Sequence, residues 1–331
     1  MFHDVRSITF RRYGPEDARK MVDLQRRCLE LSPDIDLLPE GFYNSPAFAG
    51  GANILCAVDG DGAHVGHAMV CPSHIHPQLQ VWMLWMDIRV DPDRPDADRL
   101  RDALLDRIIE RAGEVHMGLD RPAMLYATYF AQGTESINYL ASRGFHIEER
   151  LYQMQRDLDE RLPEVVAPQG VDVRAWRMET EDEQRRYLDA YDAAFVNESK
   201  SLERLQHFMG WSGWSQGTTF TAFDGDRVVG SVIALYEPDP QQNVERVGAS
   251  EYVFVRPEWR RRGLARHLVV RSLQYLKERG LYYARLEVAE ANEPARRLYE
   301  SLGYGCLREE ITLGIRLVQQ GDEWTCKEHQ G

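Results

Sequence analysis

One stretch decides the fold of this chain: VRPEWRRRGLARHLV, residues 255–269. A β-strand pattern ends there, and Leu264 and Leu268 begin the spacing of an amphipathic helix. Between the two patterns stand three consecutive arginines and Gly263. The first amides of a helix lack intrahelical partners, the helix dipole favours negative charge at that end, and a glycine allows close approach. The stretch therefore predicts a phosphate-binding turn, although a solvated basic helix start explains it equally well on its own.

The composition limits the partners of this chain. Its 331 residues carry a formal net charge of −13, which argues against nucleic acid as the main partner, because phosphates require a basic face. No apolar run approaches the ~20 residues needed to cross a bilayer, and the first residues lack the apolar core of a secretory signal. The 5 cysteines show no CxxC spacing and predict reduced thiols. We expect a cytoplasmic protein without membrane, nucleic-acid or metal partners.

An internal repeat divides the chain. The segments AVDGDGAHVGHAMV from Ala57 and AFDGDRVVGSVIAL from Ala222 each predict a strand, an Asp-Gly turn and a strand. Val90 and Val255 open the next matching segments at the same separation as the two alanines. Such a long period indicates duplicated domains rather than a solenoid, and a proline-bearing stretch marks the boundary. The predicted division is a first domain at 1–158, a linker at 159–172, a second domain at 173–318 and a tail at 319–331.

Both halves show the same order of elements: an early helix, several strands, a long helix, a strand, a second helix and a last strand. This order predicts an α/β fold in which each domain is a mixed, mostly antiparallel twisted sheet flanked by helices. The strand–helix–strand at residues 250–288 should form one parallel β-α-β crossover.

Two motifs of the second half stand in a fixed order. Arg260-x-x-Gly263-x-Ala265 follows a strand that ends in V-x-P, and LEVAEANEPARRLYESLGY at residues 286–304 carries Asn-x-x-Ala-x-x-Leu-Tyr-x-x-x-Gly-aromatic spacing. Together they resemble the acetyl-CoA pyrophosphate loop and the following strand and helix of the GNAT superfamily of N-acetyltransferases. The resemblance covers residues 170–315 well and reaches the first half through the repeat. It implies two tandem GNAT-like domains, a layout similar to that of mycothiol synthase.

The resemblance also implies a site for acetyl-CoA as co-substrate, without a metal. In the family, backbone groups at the end of the fourth strand hold the pantetheine and polarise the thioester carbonyl. The matching residues here are Val253, Phe254 and Val255. The residues of the implied pyrophosphate turn are Arg260, Arg261, Arg262, Gly263, Leu264, Ala265 and Arg266. Asn292 matches an asparagine that contacts the cofactor, and Tyr299 matches a cofactor-contacting tyrosine that protonates the departing thiolate.

Acetyl transfer to an amine requires a general base as well as a general acid. An amine attacks only when neutral, so a base must take a proton from a group with a pKa of roughly 10. Glu287 lies where the ribosomal-protein alanine acetyltransferases of the family carry their base. Glu251 lies on the cofactor strand with the side-chain parity of Val253 and Val255. An ordered water chain is the third alternative, and the sequence leaves all three open.

The first copy of the repeat differs from the motif at the positions that are implied to bind the cofactor and to catalyse the reaction. Alignment on the repeat places Asp98 at the position of Gly263 and Leu140 at that of Tyr299. A carboxylate there would repel a diphosphate, and the glycine that permits close approach is missing. We expect residues 1–158 to form a degenerate domain that shapes the substrate cleft or stabilises the pair.

These observations predict an acetyl-CoA-dependent N-acetyltransferase that works by direct attack in a ternary complex. The expected acceptor is a primary amine of a small molecule. A protein N-terminus or lysine is the alternative acceptor, and a non-catalytic acyl-CoA-binding sensor is the alternative function. Either a monomer or a homodimer fits the sequence.

Overall fold

Two units make up the chain in this computed structural model, and each is built on a mixed β-sheet. The structure describes residues 8–76, 79–195, 201–210, 212–236, 245–320 and 323–327. The first unit comprises Met1–Arg150 and Glu310–Gly331, and the second comprises Leu151–Glu309.

The first unit has the strand order β1-β2-β3-β4-β5-β12. Its strands are β1 Thr9–Arg12, β2 Ile54–Val58, β3 His64–Ile75, β4 Trp82–Val90, β5 Ala123–Phe130, part of β12 Gly305–Gln320, and β13 Glu323–Lys327, which pairs with β12. Its helices are α1 Ala18–Leu31, α2 Ala97–His116 and α3 Thr134–Ser142. The neighbouring strands are antiparallel except for β4 and β5, which run parallel. Leu104 and Ile108 of α2 pack on this sheet in a cluster with Leu84 and Leu125.

The second unit has the strand order β6-β11-β10-β9-β8-β7. Its strands are part of β6 His146–Asp157, β7 Asp172–Ala175, β8 Thr218–Asp224, β9 Arg227–Tyr236, β10 Val247–Val255 and β11 Tyr283–Ala289. Its helices are α4 Glu181–Ala194, α5 Leu202–Met209, α6 Ser212–Gln216, α7 Leu264–Glu278 and α8 Glu293–Ser301. Only β10 and β11 pair in parallel among the described strands of this sheet. They flank α7, so the predicted crossover is confirmed, as is the predicted fold class.

Each sheet is completed by a strand from the other half of the sequence. Residues 151–157 of β6 pair with β11 in the second unit, from Ala289↔Leu151 to Tyr283↔Asp157. Residues 310–316 of β12 pair with β5 in the first unit, from Glu310↔Phe130 to Arg316↔Met124. Because of this exchange, residues 151–158 and 310–318 lie with the opposite unit from the one that the predicted boundaries gave them. Part of the predicted tail also forms structure, since β13 pairs with β12.

The described residues show no sign of a membrane segment or of a metal centre. No helix among them combines the length and apolar character that a membrane crossing demands. Nor do they contain three or more His, Cys, Asp or Glu side chains placed to hold a metal ion.

Candidate active site

The arginine–glycine turn is shaped by one of its own arginines. Arg260 donates from Nε to the carbonyl of Val255 (3.1 Å) and from Nη2 to the carbonyl of Ala194 (2.8 Å). Its guanidinium thereby ties the turn to the end of β10 and to α4. Arg262 is exposed and lies over the ring of Trp259, with 4.6 Å between its Cζ and the ring centroid. Arg260 therefore has a structural task, whereas Arg261 and Arg262 lie on the exposed surface of the turn.

The N-terminus of α7 is open. Gly263, at the N-cap, has a φ of 82°, and no side chain caps the helix there. His267 is the first residue whose amide bonds back to the turn, to the carbonyl of Gly263 (3.0 Å). The amides of Leu264, Ala265 and Arg266 precede it and have no intrahelical acceptor. A Cβ on Gly263 would meet no described atom within 4 Å, so the surroundings of this N-cap residue are open. The geometry suits an anionic group such as a diphosphate.

Strands β10 and β11 separate beside this turn. They are in register at only three positions, from Val247↔Tyr283 to Ala249↔Arg285, although both strands continue further. The backbone of β10 beyond Ala249 therefore has no registered partner on β11 among the described residues. An extended amide-bearing ligand can pair with such an exposed strand edge. The predicted pantetheine contacts at Val253, Phe254 and Val255 lie along this edge.

A β-bulge at Tyr252 changes which face each residue of β10 presents. Tyr252 has a φ of 48°, and the register with β9 shifts between Glu251 and Phe254. Ser250 contacts Ser272 of α7 (Oγ–Oγ 2.8 Å), and Val255 packs in a cluster with Leu264 and Leu268 of the same helix. These two residues share a face despite an odd separation, because the bulge adds one residue.

The predicted parity of Glu251 is therefore wrong. Glu251 precedes the bulge and follows Ser250, so it lies on the opposite face from Val253 and Val255. Phe254 belongs to that other face, where it packs in a cluster with Tyr187 and Leu235.

Tyr299 lies on α8 and is buried, at 7% exposure. Its ring packs edge-on against Tyr304, with 5.9 Å between the centroids. Burial raises the pKa of Tyr299 to about 12, and the negative charge of Glu251 contributes. The hydroxyl therefore stays protonated at working pH, and Glu251 lies near enough to act on it electrostatically.

The two candidate bases line one cavity of about 270 Å³ in the second unit, together with Gln153 and Arg285. Glu287 is exposed there, and Glu251 is half-buried. On β11, Leu286 and Val288 pack in the cluster that contains Tyr299, so Glu287 between them points to the other face of the sheet. The two carboxylates and Tyr299 therefore lie on opposite faces of the sheet.

Asn292 is the N-cap of α8. Its Oδ1 accepts a hydrogen bond from the amide of Ala295 (3.3 Å), which stabilises the start of the helix. The side chain thus has a structural role, and its predicted contact with the cofactor stays a prediction.

The corresponding gap in the first unit is filled by the chain itself. Strands β4 and β5 are in register only from Trp82↔Ala123 to Trp85↔Tyr126, and Asp34 lies where they separate. Its carbonyl accepts from the amide of Phe130 (2.6 Å), and its carboxylate from Arg89 (2.8 Å) and Ser136 (2.5 Å). Asp34 and Arg89 are buried. Sequence reasoning missed Asp34, because nothing local marks a residue that closes a distant pair of strands.

Solved structures identify the fold. A GCN5-related N-acetyltransferase from Sphaerobacter thermophilus has a TM-score of 0.74 to this chain at 20% identity, over 94% of this chain and 96% of that one. A tandem GNAT protein from the clavulanic acid biosynthesis pathway has a TM-score of 0.67 at 17% identity, over 93% and 98%. The fold is that of tandem GNAT proteins.

Sequence comparison then gives the family. Residues 173–304 match the Acetyltransferase (GNAT) family, so the second unit carries a GNAT-family domain. A mycothiol acetyltransferase from Thermomonospora curvata is 34% identical over 169 residues, which are 50% of this chain and 54% of that protein. Another from Geodermatophilus obscurus is 32% identical over 209 residues, 61% of this chain and 64% of that protein. The alignments span between half and two thirds of these relatives, and the predicted resemblance to the family is confirmed.

Proposed function

We propose that this protein is an acetyl-CoA-dependent N-acetyltransferase whose active site lies in the second unit. One observation carries the proposal: the gap between β10 and β11 meets an uncapped helix N-terminus, with a buried tyrosine on one face and two carboxylates on the other. The open amides of α7 fit the diphosphate, and the free edge of β10 fits the pantetheine amides. The family of residues 173–304 supports the same chemistry.

In this mechanism the second unit places acid and base on opposite sides of the thioester. A carboxylate of the cavity, Glu251 or Glu287, takes the proton that the attacking amine must lose. The amine nitrogen bonds to the carbonyl carbon while the carbon–sulfur bond breaks, and a backbone amide of β10 stabilises the negative charge that builds on the oxygen. Tyr299 then gives its proton to the departing sulfur. We assign the role of base to Glu251, directly or through a water, because it is half-buried in the cavity whereas Glu287 is exposed.

The acceptor is, on this proposal, the primary amine of a small molecule. Two of the similar proteins are named mycothiol acetyltransferases, and the cavity of Glu251 and Glu287 presents negative charge to a cationic amine. A protein N-terminus or lysine remains the alternative acceptor. A panel of small amines and N-terminal peptides separates the two.

Calorimetric titration with acetyl-CoA, followed by a thiol-release assay over that panel, tests the proposal. We expect binding, release of free coenzyme A that depends on the amine, and a loss of kcat of about 10²–10⁴-fold in Tyr299→Phe. The neighbouring Tyr304→Phe is the matched control, because Tyr304 is also buried and packs on Tyr299, but its hydroxyl already has a partner in Ser250 Oγ (3.4 Å). Binding without turnover of any acceptor would instead identify a sensor of acyl-CoA.

A further inference from the structure

Strand β6 contributes one side chain to the cavity of the candidate bases. In the register of β6 with β11, Gln153 lies directly opposite Glu287. Side chains of directly opposed residues stand on the same face with their Cβ atoms roughly 4.5–5.5 Å apart. Gln153 therefore stands on the carboxylate side of the sheet and lines the same cavity as Glu251 and Glu287.

The Oε1 atom of Gln153 is buried and has no hydrogen-bond partner among the described residues. A buried acceptor without a partner is costly, and it is rarely kept unless a ligand or a water supplies the donor. The neighbouring polar groups of this wall do not supply one. Arg285 donates from Nε to Oε1 of Gln155 (2.8 Å) and from Nη2 to Glu245 (2.6 Å).

The first unit shows the contrast at the equivalent position. The pair that corresponds to Glu287 and Gln153 on strands β5 and β12 is Thr128 and Thr312, which are in register with each other. Their hydroxyls share a hydrogen bond of 2.9 Å, so the pair is self-satisfied. In the first unit, where Asp34 fills the gap, the two opposed side chains bond to each other. In the second unit, where the gap is open, the Oε1 atom of Gln153 has no partner among the described residues.

We propose that Gln153 is a specificity-determining residue that accepts a hydrogen bond from the acceptor molecule. The inference rests on the proposed function and deepens it. The cavity presents two carboxylates and one carboxamide oxygen, and its cation Arg285 is already paired. It therefore selects amines that carry a second hydrogen-bond donor close to the reacting nitrogen, and it disfavours amines that carry a carboxylate there.

Three ring amines test this selection: trans-2-aminocyclohexanol, cyclohexylamine and trans-2-aminocyclohexanecarboxylate. We expect kcat/KM to be higher for the amino alcohol than for cyclohexylamine by about tenfold or more, because a site built to bond a hydroxyl rejects the analogue that lacks it. The amino acid should be the poorest substrate. Gln153→Leu should bring the ratio of the first two amines close to one and leave the KM for acetyl-CoA unchanged.

Gln155→Leu is the matched control, because Gln155 lies on the same strand and face but is bonded to Arg285. It should leave the ratio unchanged. Gln153→Met provides a second variant of similar shape if the leucine variant is unstable. A wild-type ratio near one, or a ratio that survives both changes at Gln153, overturns the inference while the proposed function stands. A wild-type protein that acetylates no amine overturns the proposed function, and this inference falls with it.

Discussion

Replacement of Gly263 by alanine distinguishes the contribution of this glycine to stability from its contribution to ligand binding. Gly263 has a φ of 82°, which costs a residue with a Cβ roughly 1–2 kcal/mol, but the added methyl group would meet no described atom within 4 Å. Gly280, just beyond the other end of α7, offers a matched position with a φ of 75° and equally open surroundings. The two variants should therefore lose similar amounts of stability and fold normally.

Their affinities for coenzyme A should differ. Gly263→Ala would add a methyl group at the N-cap of α7, directly before the amides of Leu264 to Arg266, where the diphosphate is expected. A hydrogen bond to a charged group contributes about 1.5–3 kcal/mol, and each 1.4 kcal/mol is a factor of ten in Kd. The loss of one such bond should weaken binding by about 10–100-fold. Gly280→Ala should change the affinity by less than about twofold. It carries the same kind of backbone strain, but at the far end of α7 from the expected diphosphate.

Isothermal titration of both variants with coenzyme A, beside thermal unfolding, measures the two effects. S-acetylpantetheine, which lacks the diphosphate, should remain an equally good acetyl donor for wild type and Gly263→Ala. If the two variants bind coenzyme A equally well, the diphosphate does not lie on these amides. The same conclusion follows if Gly263→Ala lowers the rate with S-acetylpantetheine as much as the rate with acetyl-CoA.

Three further outcomes follow from the structure. Glu251→Gln should lower kcat/KM by about 10²–10⁴-fold and Glu287→Gln by less than about tenfold in the thiol-release assay, and the reverse order would make Glu287 the base. Arg11 holds the pKa of Asp17 at about 2 through two hydrogen bonds, so the stabilisation is present at neutral pH and is lost as the pH falls from about 4 to 2. Because Arg11 is 38% exposed, Asp17→Asn should cost roughly 1–2 kcal/mol in urea unfolding at pH 7 and only a few tenths of a kcal/mol near pH 2, where half of the carboxyl groups are already protonated. An equal cost at both pH values would refute the ion pair as the cause. Calorimetry should find one coenzyme A per chain, since Asp34 fills the first gap, and a second site of similar affinity would contradict that assignment.

The local elements of the second unit were accessible from the sequence. The spacing of Leu264 and Leu268 predicted the start of α7, and residues 286–304 were expected to hold a strand and then a helix, which are the end of β11 and α8. These signals are local: a glycine at positive φ opens one helix, and an asparagine caps the other. Periodicity and caps depend on neighbours within a turn or two, which is why they can be read without the fold.

The features that the sequence did not reveal depend on distant partners. The bulge at Tyr252 reverses the parity of β10, and neither Tyr252 nor its neighbours carries a turn residue that would have marked it. The role of Arg260 in tying the turn to Ala194 needs the position of α4. Gln153 and Asp34 acquire their significance from residues more than ninety positions away, Glu287 and Phe130. Pairing between strands is set by the whole sheet, so a single sequence shows the strands but not their neighbours.

Because β6 and β12 are exchanged, the two halves of the sequence cannot be separated without removing a strand from each sheet. A protease cut in the proline-bearing stretch after Asp157 would leave two fragments, and each would hold one strand that belongs in the other fragment's sheet. Neither fragment could form all the strand pairs of its sheet alone, so the native fold would be recovered only when both fragments are refolded together. The first half of the sequence therefore supplies β6, and with it Gln153, to the sheet and the cavity of the second unit.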